Sequence, residues 1–245
     1  MKKEWFSAWF GSAYQKIYTH RDTLQAEAQV KMLFKHLKRL EKITLPSLNI
    51  LDIGCGSGRH LSVLKKMGCK AFGLDLSSTL LREARREKLP VLRADMRYLP
   101  FATQSFDLIT SFFTSFGYFQ AEEDDKKALH GFVSLMRPQG FLFLDLMNAD
   151  FVKANLVAEE STQLAEMRVL QKRRLEGRKV TKEIHILYTD GREEKHTEQV
   201  NLYSQQEMKT MLNQEGLKVE HIFGNECGET FANHLPRMSL LCRRV

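Results

Sequence analysis

The stretch Leu51-Asp52-Ile53-Gly54-Cys55-Gly56-Ser57-Gly58-Arg59-His60 constrains the fold of this 245-residue chain more than any other. An apolar run, Asn49–Ile53, ends on three glycines at alternate positions, and an amphipathic segment, Leu61–Met67, follows directly. Glycine adopts backbone conformations that other residues resist, so this is a tight turn from a strand into a helix. Strands that feed helices in succession build a parallel sheet with helices on both faces. The series continues. Ala71–Leu76 reads as a second strand and Ser78–Lys88 as a helix, with Ser77 or Ser78 as its N-cap. Val91–Arg93, Phe106–Ser111 and Gly140–Leu146 read as strands, and Asp124–Met136 as a helix. The run Phe141-Leu142-Phe143-Leu144 suits a strand covered on both faces. A helical stretch over Arg21–Leu40 precedes the series.

The alternation stops after Asn148. Met167–Leu175, Lys179–Tyr188 and Glu194–Leu202 read as three antiparallel strands, joined at Glu176-Gly177 and Asp190-Gly191. A helix over Gln205–Glu215 and strands over Lys218–Phe223 and Met238–Arg243 close the chain. The expected fold class is therefore α/β, a doubly wound sheet interrupted by an antiparallel meander. The expected organisation is an N-terminal helical cap (1–44), a doubly wound domain (45–150 and 203–245) and an inserted β subdomain (151–202). An insertion at the carboxyl ends of the strands lies over the ligand crevice.

Hydrophobic residues at 43% and charged residues at 27% are globular proportions, which exclude a disordered chain. No apolar run approaches the roughly 20 residues that span a bilayer. Cys55, Cys69, Cys227 and Cys242 form no CxxC pair, so neither a zinc knuckle nor any other metal site is expected. Sparse thiols suit a reducing compartment. Glu4 follows Met-Lys-Lys at once, and the aromatic stretch after it is too short for a signal peptide, so a cytoplasmic location is expected. The formal net charge is +7, concentrated in residues 1–150. Lys31, Lys35, Lys38 and Lys42 line one stripe of a helix. That stripe reads as a solvated face, although a basic surface could attract RNA or an acidic metabolite.

The glycines follow G-x-G-x-G spacing. A dinucleotide fingerprint requires glycine at position 59, where Arg stands, so the turn suits a nucleoside without a pyrophosphate beneath it. Asp75 ends the second strand 17 residues after Gly58, where a carboxylate can accept both ribose hydroxyls. Asp95-Met96 follows the third strand, placed to read an adenine edge and pack on its face. Ser111 and Phe112 end the fourth strand beside the same crevice.

Asp52–Gly58, Asp75, Ala94-Asp95-Met96, Phe106-Asp107-Leu108 and Leu135-Met136-Arg137-Pro138-Gln139-Gly140 together resemble the successive motifs of class I S-adenosylmethionine-dependent methyltransferases. The resemblance spans about residues 45–148. It implies a seven-stranded Rossmann-like sheet with one antiparallel strand, and S-adenosylmethionine as cofactor. Carried over residue by residue, Gly54, Cys55, Gly56 and Gly58 wrap the amino-acid part of the cofactor, and Asp52 also counts among the cofactor-binding residues. Asp75 holds the ribose, Asp95 and Met96 contact the adenine, and Leu76 is a further cofactor-binding residue. Gln139 departs from the family, which often has glycine there.

Phe113-Thr114-Ser115-Phe116-Gly117-Tyr118-Phe119, Asp145-Leu146-Met147-Asn148 and the meander are similar to a bacterial subgroup whose members often start with an aromatic helix. Trp9-Phe10-Gly11-Ser12-Ala13-Tyr14 and Tyr18 match that start. The resemblance implies that this helix closes over the cofactor, bringing Tyr14, Tyr18 and Arg21 near the methionine moiety or the acceptor. The alternative is that Tyr14 and Tyr18, four residues apart, staple the helix to the core. Phe113, Phe116 and Asn148 are expected at the acceptor. Where the acceptor needs deprotonation, the candidate residues are Tyr18, His20, Tyr118 and Asp145, with His60 a packing or capping residue. Three functions stay open: methylation of a small, partly apolar metabolite, methylation of RNA, or cofactor binding without catalysis. The chain is expected to be a monomer or a homodimer.

Overall fold

The computed structural model describes residues 4–18, 23–40 and 47–245. In chain order the first elements are α1 (Trp5–Trp9), α2 (Ser12–Ile17), α3 (Thr23–Leu40), β1 (Asn49–Ile53), α4 (Arg59–Lys66) and β2 (Lys70–Asp75). Next come α5 (Ser78–Arg86), β3 (Val91–Arg93), β4 (Phe106–Ser111), α6 (Glu122–Leu135), β5 (Met136–Met147) and α7 (Ala149–Asn155). The last are β6 (Glu159–Leu164), β7 (Met167–Glu176), β8 (Lys179–Tyr188), β9 (Glu193–Asn201), α8 (Gln205–Gln214), β10 (Leu217–Phe223) and β11 (Arg237–Arg244).

Side chains of a strand alternate between its two faces, and the central strands are apolar on both. Phe141 and Phe143 of β5 enter one core with Ile50, Leu108 and the inner faces of α3 and α4. Leu142, Leu144 and Leu146 enter a second core with Leu51, Ile53, α6 and α8. Both faces of the sheet are thereby covered. The sheet has seven strands in the order β3-β2-β1-β4-β5-β11-β10. β1 to β5 run parallel, whereas β11 is antiparallel to both its neighbours. Ser77 caps α5, its hydroxyl accepting from Leu80 N at 3.1 Å. Gln139 has φ +62°, a left-handed backbone that suits the glycine common there in the family.

The insertion differs from expectation. It is a four-stranded sheet, β6-β7-β8-β9, not a three-stranded meander. The extra edge strand reads Glu-Glu-Ser-Thr-Gln-Leu and carries no apolar alternation. The aromatic N-terminus forms two short helices, with Gly11 between them as the N-cap of α2. Trp9 and Ala13 from these helices bury against Met167, Val169, Ile184 and Ile186 of the inserted sheet. The N-terminal helices are thus wedged between the inserted sheet and the carboxyl edge of the main sheet. Among the described residues, no helix is long and apolar enough to cross a membrane.

Candidate active site

The glycine turn is tied to the neighbouring strand. Gly54 N and Cys55 N both donate to Leu74 O, at 2.7 and 3.0 Å. Gly54 has φ +74°, and a Cβ there would lie 2.4 Å from Ser115 Cβ. The close approach of the loop after β4 therefore requires glycine. Ser115 Oγ donates to Gly54 O at 3.2 Å, fixing the two loops together.

Asp75 closes the next side. Its carboxylate accepts from Gly56 N and Ser77 N, each at 2.8 Å. Burial raises the carboxyl above its ordinary range, while the N–H donors of Ser77, Gly56 and Leu76 pull it back. At Asp95, burial alone would raise the carboxyl, but hydrogen bonds from Arg97 outweigh it and hold the group below its usual value. Arg97 also grips Glu4 at 2.8 Å and Asp124 at 3.0 Å, which pins the chain start beside Asp95.

These loops enclose a cavity of about 300 Å3 at the carboxyl ends of β1, β2 and β4. Of the residues expected at the cofactor, Tyr14, Tyr18, Gly54, Cys55, Gly56, Asp75, Leu76, Asp95, Met96 and Phe112 line it. Phe10, Ser115 and Phe119, not among the expected cofactor-binding residues, also line it. Ser77 Oγ donates to Phe10 O at 2.5 Å and so holds the N-terminal segment over the opening. The donor set suits a nucleoside bearing an amino-acid tail: a buried carboxylate for a ribose, an apolar slot beside Asp95, and a glycine cradle.

Other predicted residues lie elsewhere. Asp52 is buried and accepts from Thr110 Oγ1 at 3.0 Å, and it does not line the cavity. Burial lifts its carboxyl to about 7; the Thr110 hydrogen bond opposes this. Gly58 faces Leu89 and Ala84, not the cavity. Ser111 is buried at the carboxyl end of the central strand β4 and does not line the cavity. Phe116 packs between Phe132 and Tyr203 in the core, so its expected place at the acceptor is corrected. Asn148 caps α7 through Asp150 N and donates to Leu235 O at 2.8 Å, which is a structural and not a substrate-facing position. His20 and Arg21 lie outside the described residues, as does Lys42.

Asp145 is corrected as well. Its buried carboxylate accepts from Phe113 N (2.8 Å), Gln29 (3.0 Å), Ser239 (2.7 Å) and Arg237 (3.0 Å), and it lines no cavity. Both carboxylate oxygens are already engaged by these donors. What it does is brace a strained turn: Phe113 and Thr114 have φ +55° and +60°. Thr114 N donates to Asp145 O at 2.9 Å, and Arg237 donates to Thr114 Oγ1 at 2.9 Å. This turn aims Phe113 into the cavity. His60 stacks on Phe112 at 4.0 Å and shares a 2.9 Å hydrogen bond with Gln29. Burial and the Arg59 charge hold the imidazole well below its usual range, so it is neutral at pH 7.

A larger cavity, about 610 Å3, adjoins the first, and Phe10, Tyr14, Phe113 and Tyr118 line both. Its far walls are α7 and one face of the inserted sheet.

Residues 50–140 match the family model of a methyltransferase domain. The chain carries a methyltransferase domain. It is 29% identical, over 74% of its own length and 79% of the relative's, to the dTDP-3-amino-3,4,6-trideoxy-alpha-D-glucopyranose N,N-dimethyltransferase of Streptomyces venezuelae. The methyltransferase shares its fold with an S-adenosylmethionine-dependent methyltransferase from Clostridium acetobutylicum (TM-score 0.77, 18% identity, 94% and 96% of the two chains). A second neighbour is a SAM-bound amino pentose methyltransferase from Micromonospora echinaspora (TM-score 0.69, 18% identity, 96% and 97%).

Proposed function

We propose that this methyltransferase methylates an O, N or C atom of a small, partly apolar molecule bound in the larger cavity. The observation that carries the reading is the wall of Phe10, Tyr14, Phe113 and Tyr118 shared by the two cavities. Two ligands meeting across such a wall are held for reaction, and their orientation lowers the barrier. When bound, the cofactor supplies an activated methyl group on a sulfonium sulfur.

The chain's own residues then have distinct work. Asp75 holds the ribose hydroxyls. Asp95 and Met96 contact the adenine, with Leu76 alongside. Gly54, Cys55 and Gly56 border the amino-acid part. Tyr14 and Tyr18 close the site from α2, and Ser77 anchors that closure through Phe10 O. Tyr118 lines both cavities and Trp5 donates to its carbonyl at 3.3 Å, so its ring is well placed beside the acceptor. The Tyr118 or Tyr18 hydroxyl takes part in moving the acceptor proton. In this reading residues 1–44 act as a cap and residues 151–202 form the acceptor side.

Relatives support a small acceptor: their names specify an amino sugar and the malonyl group of an acyl-carrier protein. Lys31, Lys35 and Lys38 are exposed on α3 and line neither cavity, so the basic stripe lends no support to an RNA acceptor at this site.

Calorimetric titration with S-adenosylmethionine and S-adenosylhomocysteine, with NADH as control, tests the site. Micromolar binding, about −8 kcal/mol, is expected for the first two only. Asp75→Ala should weaken it roughly 10- to 100-fold, the worth of a charge-assisted hydrogen bond. Unchanged affinity would remove Asp75 from the ribose site.

A further inference from the structure

One face of the inserted sheet supplies the polar side of the larger cavity. Residues directly opposite on neighbouring strands share a face, and Arg173 pairs across with Lys182, which pairs across with Glu198. Glu160 joins at the outer side of Arg173, 2.7 Å from its guanidinium. Glu198 forms an ion pair with Lys182. The row across β6, β7, β8 and β9 therefore reads minus, plus, plus, minus, and all four side chains line the cavity.

This order is costly. Like charges directly opposite on neighbouring strands repel. An alternating row would have paired every neighbour, whereas this one sets two cations side by side. Both are largely buried, at 20% and 15% side-chain exposure, so water screens them poorly. The groups around them hold their outer ends. Gln171 accepts from Arg173 at 2.7 Å, Trp9 donates to Glu198 at 2.5 Å, and Tyr18 contacts both Lys182 and Glu198. Arg237, the third cation of the lining, is matched from behind the wall by Asp145 at 2.9 Å. Next to the charged row the same face is apolar, with Val180 opposite Val200, and Phe151 and Leu156 stand on α7 and just after it.

We infer that the acceptor carries an anionic group, a carboxylate or a phosphoryl, that docks between Arg173 and Lys182 while its apolar part lies against Val180, Val200 and Phe151. An anion there offsets the cation–cation repulsion and receives charge-assisted hydrogen bonds from both. The inference rests on the larger cavity being the acceptor site.

The test is calorimetry on the protein saturated with S-adenosylhomocysteine, using phenylacetate, phenyl phosphate and the neutral phenylacetamide as probes. At least one anion should bind tenfold or more tightly than the amide, and the tighter anion assigns carboxylate or phosphoryl. Arg173→Gln and Lys182→Gln should each erase that preference, and Arg173→Gln should keep the wild-type affinity for S-adenosylhomocysteine. A merely structural role would lower the melting temperature and leave the anion-to-amide ratio unchanged, which overturns the inference. Val200→Trp fills the cavity and separates the two readings. Equal anion and amide affinities that this variant abolishes overturn the anion docking and leave the acceptor cavity standing. Probe binding that Val200→Trp does not alter overturns both.

Discussion

Replacing Asp145 by Asn distinguishes a base from a brace. The side chain is fully buried. One oxygen accepts from Ser239 and Arg237 Nε, the other from Phe113 N, Gln29 and Arg237 Nη2, at distances of 2.7 to 3.0 Å. The amide would remove the charge facing Arg237 and point an N–H donor at groups that are themselves donors. Removing one member of a buried ion pair costs about 3–5 kcal/mol. For a chain of this size each kcal/mol moves the melting temperature by about 2–4 °C, so a fall of roughly 6–20 °C is expected. The left-handed turn at Phe113 and Thr114 loses its brace as well, so the affinity for S-adenosylhomocysteine should drop alongside. Circular dichroism melting and calorimetric titration at pH 7.5 read both effects. A wild-type melting temperature together with lost methyl transfer would refute this account and return Asp145 to the role of a base.

Gly54→Ala should cost about 2–5 kcal/mol in urea unfolding, from the positive φ and the 2.4 Å approach to Ser115 Cβ. Adding Ser115→Gly should recover the steric part only, and full recovery would show that the backbone conformation is not strained. Asp52 provides a pH test: burial lifts its folded carboxyl from 3.8 to about 7, so the folded chain keeps a proton that the unfolded chain releases. Its stabilisation is present below pH 4 and lost as pH rises to 7, so the stability of the wild type relative to Asp52→Asn should decline by up to about 4 kcal/mol over that window. A flat difference between pH 4.5 and 7.5 would contradict it. Tyr18→Phe should leave the fold intact yet lower cofactor affinity or turnover, because the hydroxyl contacts Lys182 and Glu198 where the two cavities meet; wild-type kinetics would leave Tyr18 a packing role.

Much of the main sheet is legible in the chain itself. The strand-to-helix alternation from Asn49 to Leu146 follows from apolar periodicity punctuated by glycine and by caps such as Ser77. The glycine turn and Asp75 announce the smaller cavity because both are demands on the local backbone. The polar edge strand β6 and the short α7 escape such reading, since neither carries an apolar rhythm.

Side-chain roles divide along the same line. Asp75, Asp95 and Met96 sit at or just after strand ends that topology alone brings to one edge. Asp145, Phe116 and Asn148 stand close in sequence to those ends, yet their partners are Arg237, Phe132 and Leu235 on other elements. Which side of a strand end a residue faces, and whether a donor from a distant strand already occupies it, depends on how the layers cross. The row Glu160, Arg173, Lys182, Glu198 is the clearest case. Each residue is an ordinary charge on a polar strand, and only the register of three antiparallel pairings lines them up inside one cavity. Local backbone preference acts over a few neighbouring residues, so the chain alone determined its elements and its glycine-built cofactor turn. Charge pairing and burial act between residues far apart in sequence, so only the tertiary structure decided which side chains face the larger cavity.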